Sequence, residues 1–155
     1  FAEKSGPHGM LGGQSVDVLF TGKHPEKERL DYIYRLKTCA LIEASMMMGA
    51  ILAGAGNESV AQFEDIGRSV GMAFQIQDDI LDCTGDAALL GKPLNSDEKN
   101  GKTTYVTLFG IDTARAEVER LSENARHTLE NVDSADENEK KFLLWLIESL
   151  VKRMY

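Results

Sequence analysis

Between Gly71 and Asp82 the chain reads Gly-Met-Ala-Phe-Gln-Ile-Gln-Asp-Asp-Ile-Leu-Asp, and four of these residues could do chemistry together. Wound as an α-helix at about 100° per residue, Gln75, Asp78, Asp79 and Asp82 fall at i, i+3, i+4 and i+7, along one stripe. That spacing ordinarily marks an apolar seam; here it holds an amide and three carboxylates. Val70, Ala73, Phe74, Ile76, Ile80 and Leu81 cover the rest of the surface, so the helix is apolar on most sides and belongs in an interior. An acidic stripe there must face a cavity. Carboxylates packed so tightly repel one another, resist desolvation and drift toward protonation unless a cation joins them. Oxygen-only ligands suit a hard ion: Mg²⁺, with Mn²⁺ as an alternative, takes one or two carboxylates and leaves positions for water and phosphate oxygens. The competing reading, a solvated acidic patch at a helix end, sits poorly with such apolar flanks.

The elements that would position this stripe are helical throughout. Residues 7–20 read as a helix despite Gly9, Gly12 and Gly13, with Pro7 in its first turn. Glycine costs about 1 kcal/mol in a helix interior, so these three imply either close approach of another helix or ligand, or a loose loop. Gln14 and Asp17 share one face, pointing into the cavity or forming a surface pair. Residues 26–54 form a long helix with Leu30, Ile33, Tyr34, Leu41, Ala44, Met48 and Leu52 as its stripe, and Lys37 in the middle of it. A lysine there either snorkels to solvent or meets an anion in the cavity. Met46, Met47 and Met48 read as adaptable packing. The central helix spans 57–83, capped by Asn57 or Ser59, with Ser59 and Gln62 matching a capping box and Gly85 closing it. Glu64, Asp65 and Arg68 form a solvated face at its far end.

Residues 84–102 are the least regular stretch, and a loop of that length inside a compact domain tends to be functional or mobile. Lys92 and Lys102 bracket it, each following a glycine. Gly101-Lys102-Thr103 is no nucleotide loop, because Ser96 stands where that motif needs its first glycine. Asp112 caps a further helix, with Ala114, Ala116, Val118, Leu121, Ala125 and Leu129 as its apolar positions. Ser134 to Glu137 then make a capping box for a last helix with Phe142, Trp145, Leu146, Ser149 and Leu150 as its buried stripe. No strand signal competes, so the fold class is all-α, a bundle of long packed helices.

Composition narrows the function classes. The chain has 155 residues, enough for one domain with a real core, and 43% of them are hydrophobic, ordinary for a globular protein. A net charge of -8 argues against nucleic acid or an anionic membrane as the main partner. A local group of lysines and metal can still hold an anionic small molecule. Cys39 and Cys83 lack metal-site spacing and fit a reducing, cytoplasmic setting. No run reaches the ~18 apolar residues of a membrane span.

The motif Asp78-Asp79-Ile-Leu-Asp82, preceded by Phe74-Gln75, resembles the second aspartate-rich motif of the trans-isoprenyl (polyprenyl) diphosphate synthases, in wording nearest the bacterial farnesyl diphosphate synthases. Gly9 to Gln14 with Asp17, Lys37-Thr38, Gly91-Lys92, and Gly101 to Tyr105 resemble that family's other landmarks in the family's order; Val106 departs from it, standing where proline is common. The resemblance implies an isoprenoid-synthase helical bundle and Mg²⁺-dependent transfer of an allylic diphosphate's prenyl group to isopentenyl diphosphate. It implies Asp78 as the principal metal ligand of its motif, with Asp79 and Asp82 as neighbouring carboxylates. It further implies Lys37, Thr38, Gln75, Lys92 and Lys102 around the allylic diphosphate, with Phe74, Gln14 and Asp17 beside the substrate.

The resemblance also implies that residues 1–155 are the C-terminal part of a single prenyltransferase domain. The family's first aspartate-rich motif has no counterpart here. The chain alone is therefore expected to be inactive and, with apolar faces short of partners, to associate as a homo-oligomer. The alternative from another class is a non-catalytic helical partner or regulatory subunit of a full-length synthase.

Overall fold

The computed structural model describes residues 1–85, 96–132 and 136–151, and every element among them is helical. In order these are α1 (Ala2–Ser5), α2 (Met10–Phe20), α3 (Lys27–Tyr34), a π-helical stretch (Arg35–Cys39), α4 (Ala40–Leu52), α5 (Asn57–Thr84), α6 (Ser96–Lys99), α7 (Tyr105–Phe109), α8 (Ile111–Glu130) and α9 (Glu137–Val151). The all-α expectation holds. No described helix is long and apolar enough to cross a membrane.

The bundle is arranged around α5, whose 28 residues run about 42 Å at 1.5 Å per residue. Helix α4 packs along one side of it, α8 along another, and α9 lies against both α8 and α5. Two apolar clusters follow its length. Ile66 and Val70 meet Ala125, Leu129 and Ile147 toward its start; Ala73, Ile76 and Ile80 meet Leu30, Ile33, Ala114 and Val118 toward its end. The residues flanking the acidic stripe are thus buried as the sequence predicts, with Phe74 partly so.

Glycines set how closely the helices approach. A Cβ on Gly67 would lie 2.7 Å from Glu43 Cα, and one on Gly71 would lie 2.8 Å from Cys39 Cα, so α5 lies almost backbone to backbone against the π-helical stretch and α4. A Cβ on Gly13 would come within 2.3 Å of the Lys37 nitrogen. Close approach of another helix is therefore the reason for that glycine, whereas Pro7 and Gly9 lie in a turn ahead of α2, so the helix begins at Met10 rather than at residue 7.

Several local expectations fail, each for a physical reason. The continuous helix over 26–54 is broken by the five-residue π-helical stretch, where the Ala40 N–H reaches back to the Arg35 carbonyl. Neither Gly nor Pro marks it. Helix α5 starts after Gly56 with no side-chain cap, so neither Asn57 nor Ser59 caps it, and Asp112 lies inside α8 rather than capping it. Phe142, Trp145 and Ser149 face outward, Trp145 at 61% exposure, while Ile147 and Val151 are the buried residues of α9. Met48, Leu52 and Ala116 are likewise exposed. Glu64 and Arg68 are not simply solvated: both join an ionic cluster around buried Glu43. The Ser134 cap lies outside the described residues.

Candidate active site

Three elements meet at the end of α5. The π-helical stretch brings Lys37 and Thr38, α2 brings Asp17, and the segment between α6 and α7 brings Lys102. A π turn rotates the residues after it relative to a regular helix, and such turns recur where function needs an off-register side chain. Here it is the turn that presents Lys37 and Thr38.

Asp17 links two cations. Its Oδ2 accepts from Lys37 Nζ at 2.6 Å, and Lys102 Nζ stands 3.6 Å from the same oxygen. Lys37 therefore meets an anion, and that anion is a side chain of α2. Beside this group Thr38 Oγ1 donates to Gln75 Oε1 at 2.8 Å, and Gln75 in turn donates to Asp79. A narrow cleft of about 40 Å³ runs between Asp17, Lys37, Gln75, Asp79 and Lys102, with room for a few water molecules.

The three carboxylates of the motif differ sharply from one another. Asp79 is 2% exposed; its Oδ2 accepts from Tyr34 Oη at 2.6 Å and from the Tyr105 backbone N–H at 2.8 Å. Burial pushes its carboxyl up to about 7, against the downward pull of the bonds from Tyr34, Tyr105 and Gln75. Burial and the Asp79 charge raise the Tyr34 hydroxyl well above the usual tyrosine range, so it remains a donor. Asp82 is also 2% exposed, accepting from Ser96 Oγ at 2.6 Å on Oδ1 and from the Asp97 N–H at 3.1 Å on Oδ2. Asp78 alone is partly exposed. Among the described residues no three His, Cys, Asp or Glu side chains are arranged to hold a metal ion. The donor set thus offers one accessible carboxylate, which fits an ion that takes one or two carboxylates and draws its remaining oxygens from water and phosphate.

Of the other residues singled out by sequence, Gln14 is exposed on α2, Phe74 is partly buried on α5, and Lys92 lies outside the described residues. Sequence reasoning missed Tyr34 as a site residue, reading it only as part of an apolar stripe. It missed Ser96 and Asp97 altogether. Tyr34 had a detectable signal, a hydroxyl one turn before Lys37 on a stripe that otherwise carries none; Ser96 and Asp97 had no such signal.

The sequence profile of the family described as polyprenyl synthetase matches residues 6–142. The chain belongs to the polyprenyl synthetase family. Among curated relatives it is 42% identical over 132 residues to farnesyl diphosphate synthase of Escherichia coli strain K12, covering 84% of this chain and 44% of that protein. It is 37% identical over 136 residues to geranylgeranyl pyrophosphate synthase 11, chloroplastic, of Arabidopsis thaliana, covering 86% of this chain and 38% of that protein. The chain spans less than half the length of these relatives. Among solved structures, a geranyltransferase from Helicobacter pylori complexed with magnesium and isoprenyl diphosphate superposes with a TM-score of 0.84 at 29% identity, covering 97% of this chain and 50% of that one. The likeness to solved structures of this family accounts for the all-helical bundle.

Proposed function

We propose that this chain supplies the diphosphate-holding wall of a Mg²⁺-dependent prenyltransferase of the short-chain, farnesyl or geranylgeranyl class. The observation that carries the reading is the meeting of Lys37 and Lys102 on one oxygen of Asp17, beside the Gln75–Asp82 stripe, in a family member. Two ammonium groups fixed at one point by a side-chain anion are already placed to receive the oxygens of a substrate anion.

In the reaction, the carbon–oxygen bond of an allylic diphosphate breaks and its electron pair leaves with the diphosphate. The double bond of isopentenyl diphosphate then attacks the allylic cation, a carbon–carbon bond forms, and a proton is lost. Lys37 and Lys102 stabilise the charge that collects on the departing oxygens, and Thr38 and Gln75 offer hydrogen bonds beside them. Lys92, outside the described residues, joins this set through the family motif. Asp78 would hold the metal, which when bound supplies further positive charge at the departing group. Asp79 and Asp82 stand behind it as neighbouring carboxylates. Gln14 and Phe74 join beside the substrate through the family motifs alone, and the apolar flanks of α5 exclude water from the cation.

Residues 1–155 are on this reading the C-terminal part of one prenyltransferase domain, inactive alone because the opposite metal-binding wall is not among them. Exposed Leu11, Val18 and Leu19 on α2 support association with further copies. Two cysteines outside any disulfide support a cytoplasmic setting.

Calorimetric titration with inorganic diphosphate in Mg²⁺ tests the reading. Binding is expected, weakened on the order of 10- to 100-fold by Lys37→Ala, the loss typical of a charged hydrogen bond. Absence of binding, or binding indifferent to Lys37 and Lys102, would overturn it.

A further inference from the structure

We infer that Asp79 and Asp82 are positioning residues: each caps the start of a short helix, and together they pin residues 96–105, with Lys102 between them, onto α5. This rests on the diphosphate-holding role proposed above. The first N–H groups of a helix have no intrahelical acceptor and must find one elsewhere. The Asp97 N–H, in the first turn of α6, finds Asp82 Oδ2 at 3.1 Å, and the Ser96 hydroxyl takes Oδ1 at 2.6 Å. The Tyr105 N–H, first of α7, finds Asp79 Oδ2 at 2.8 Å. The two aspartates are three residues apart on α5 and so stack one turn over the other. Their spacing along α5 is therefore matched to the spacing between the two short helices.

Between these two anchors the chain has little freedom. The Lys102 N–H bonds the Asp97 carbonyl at 2.9 Å, and the Gly101 carbonyl accepts from the Gly22 N–H at 3.0 Å. Thr104 closes a capping box with Thr107 at the start of α7. Lys102 thus projects toward Asp17 from a backbone tied at both ends, and a carboxylate acceptor makes each tie charge-assisted. Two of the three motif carboxylates on this account shape the anion site through the backbone of the lysine-bearing segment. They need touch neither metal nor diphosphate.

The test reads amide hydrogen exchange and diphosphate affinity side by side. Asp82→Asn is expected to speed exchange of the Asp97 amide on the order of tenfold while leaving the α8 amides unchanged, with Asp82→Glu restoring part of the protection. Asp79→Asn should do the same at the Tyr105 amide. Inorganic diphosphate should bind Asp82→Asn several-fold more weakly, to the same degree in chelator as in Mg²⁺, because the tie acts on Lys102. Ser96→Ala removes the donor and keeps the carboxylate, so it carries the test if Asp82→Asn does not fold. It too should loosen the Asp97 amide and weaken diphosphate binding. Unchanged exchange at Asp97 in both variants, with affinity lost only when Mg²⁺ is present, would show a metal ligand and overturn the inference. Should the unmodified chain bind no diphosphate, the proposed function fails, and the exchange rates alone then decide the capping role.

Discussion

Two buried carboxylate sites flank α5, and they are neutralised in opposite ways. Toward its start, Glu43 of α4 meets cations: the Lys4 ammonium and Arg68 Nε at 3.2 Å, with Glu64 sharing both partners. Toward its end, Asp79 meets neutral donors, the Tyr34 hydroxyl, the Tyr105 N–H and the Gln75 amide, which satisfy its oxygens without countering its charge. Burying a paired charge and burying a merely hydrogen-bonded one differ by the whole Coulomb energy of the absent partner. The first arrangement is complete as a structural joint. The second retains negative charge in an interior, and a cation arriving beside it relieves that cost. The chemistry proposed for this chain uses the second site.

The largest expected effect tests that uncompensated charge. Asp79 titrates near 7 in the folded chain against an ordinary 3.8, a shift that amounts to at most roughly 4 kcal/mol. Because the folded value is raised, the stabilising contribution is fully present below about pH 4 and is lost as pH rises toward 7. Denaturant unfolding of the chain in chelator should show ΔG falling over that window. Asp79→Asn keeps the shape and an acceptor without the charge, so it should flatten this slope and equal or exceed the parent's stability at pH 8. A slope that persists in the variant breaks the comparison.

The opposite site predicts the opposite sign. Lys4→Met keeps much of the aliphatic stem but leaves buried Glu43 with Arg68 alone, and should cost about 1–3 kcal/mol at pH 7, discounted for the partial exposure of both cations. Burial lowers the Lys4 pKa, yet its bonds to Glu43 and Glu64 outweigh that and raise it, so the pair persists through neutral pH. Denaturant midpoints of Lys4→Met and Asp79→Asn measured together decide the contrast: at pH 8 one should fall while the other holds or rises. Equal losses in both would mean that the donor type makes no difference.

How much of this was legible in the sequence differs between the two sites. The acidic stripe was visible because three carboxylates at helical spacing among apolar residues violate the ordinary pattern, and local periodicity suffices to see it. Its internal division was not. That Asp79 and Asp82 are sealed while Asp78 stays accessible depends on Tyr34, 45 residues away from Asp79, and on the N–H groups of short helices that no periodicity announces. The Glu43 site was misread for the same reason. Glu64 and Arg68 look like a solvated face on their own helix, and only the chain's start, folded back as α1, shows that Lys4 completes a buried cluster. The π-helical stretch left no trace in composition, whereas Gly13 signalled the contact it makes. Fold class, helix order and the stripe were thus local information, and the pairing of charges was not.

The smallest effect concerns Cys39, which sits between the two sites and reports on the contact that separates them. Its side chain is fully buried, and its thiol is pushed up to about 12 by burial first and by the Glu43 charge second. At pH 8 about one in ten thousand such thiols is ionised, so alkylation must wait for the helices to part. Cys83, on the same α5, is partly exposed. Native-state labelling with iodoacetamide should therefore modify Cys83 while Cys39 reacts only at the rate of opening. Gly71→Ala places a methyl group 2.8 Å from the Cys39 sulfur and should raise the Cys39 rate without changing that of Cys83. Asp79→Asn, acting two turns along the helix and away from this contact, should leave Cys39 as slow as before. If it does not, the two ends of α5 are coupled through their packing, and the carboxylate sites cannot be treated as independent joints.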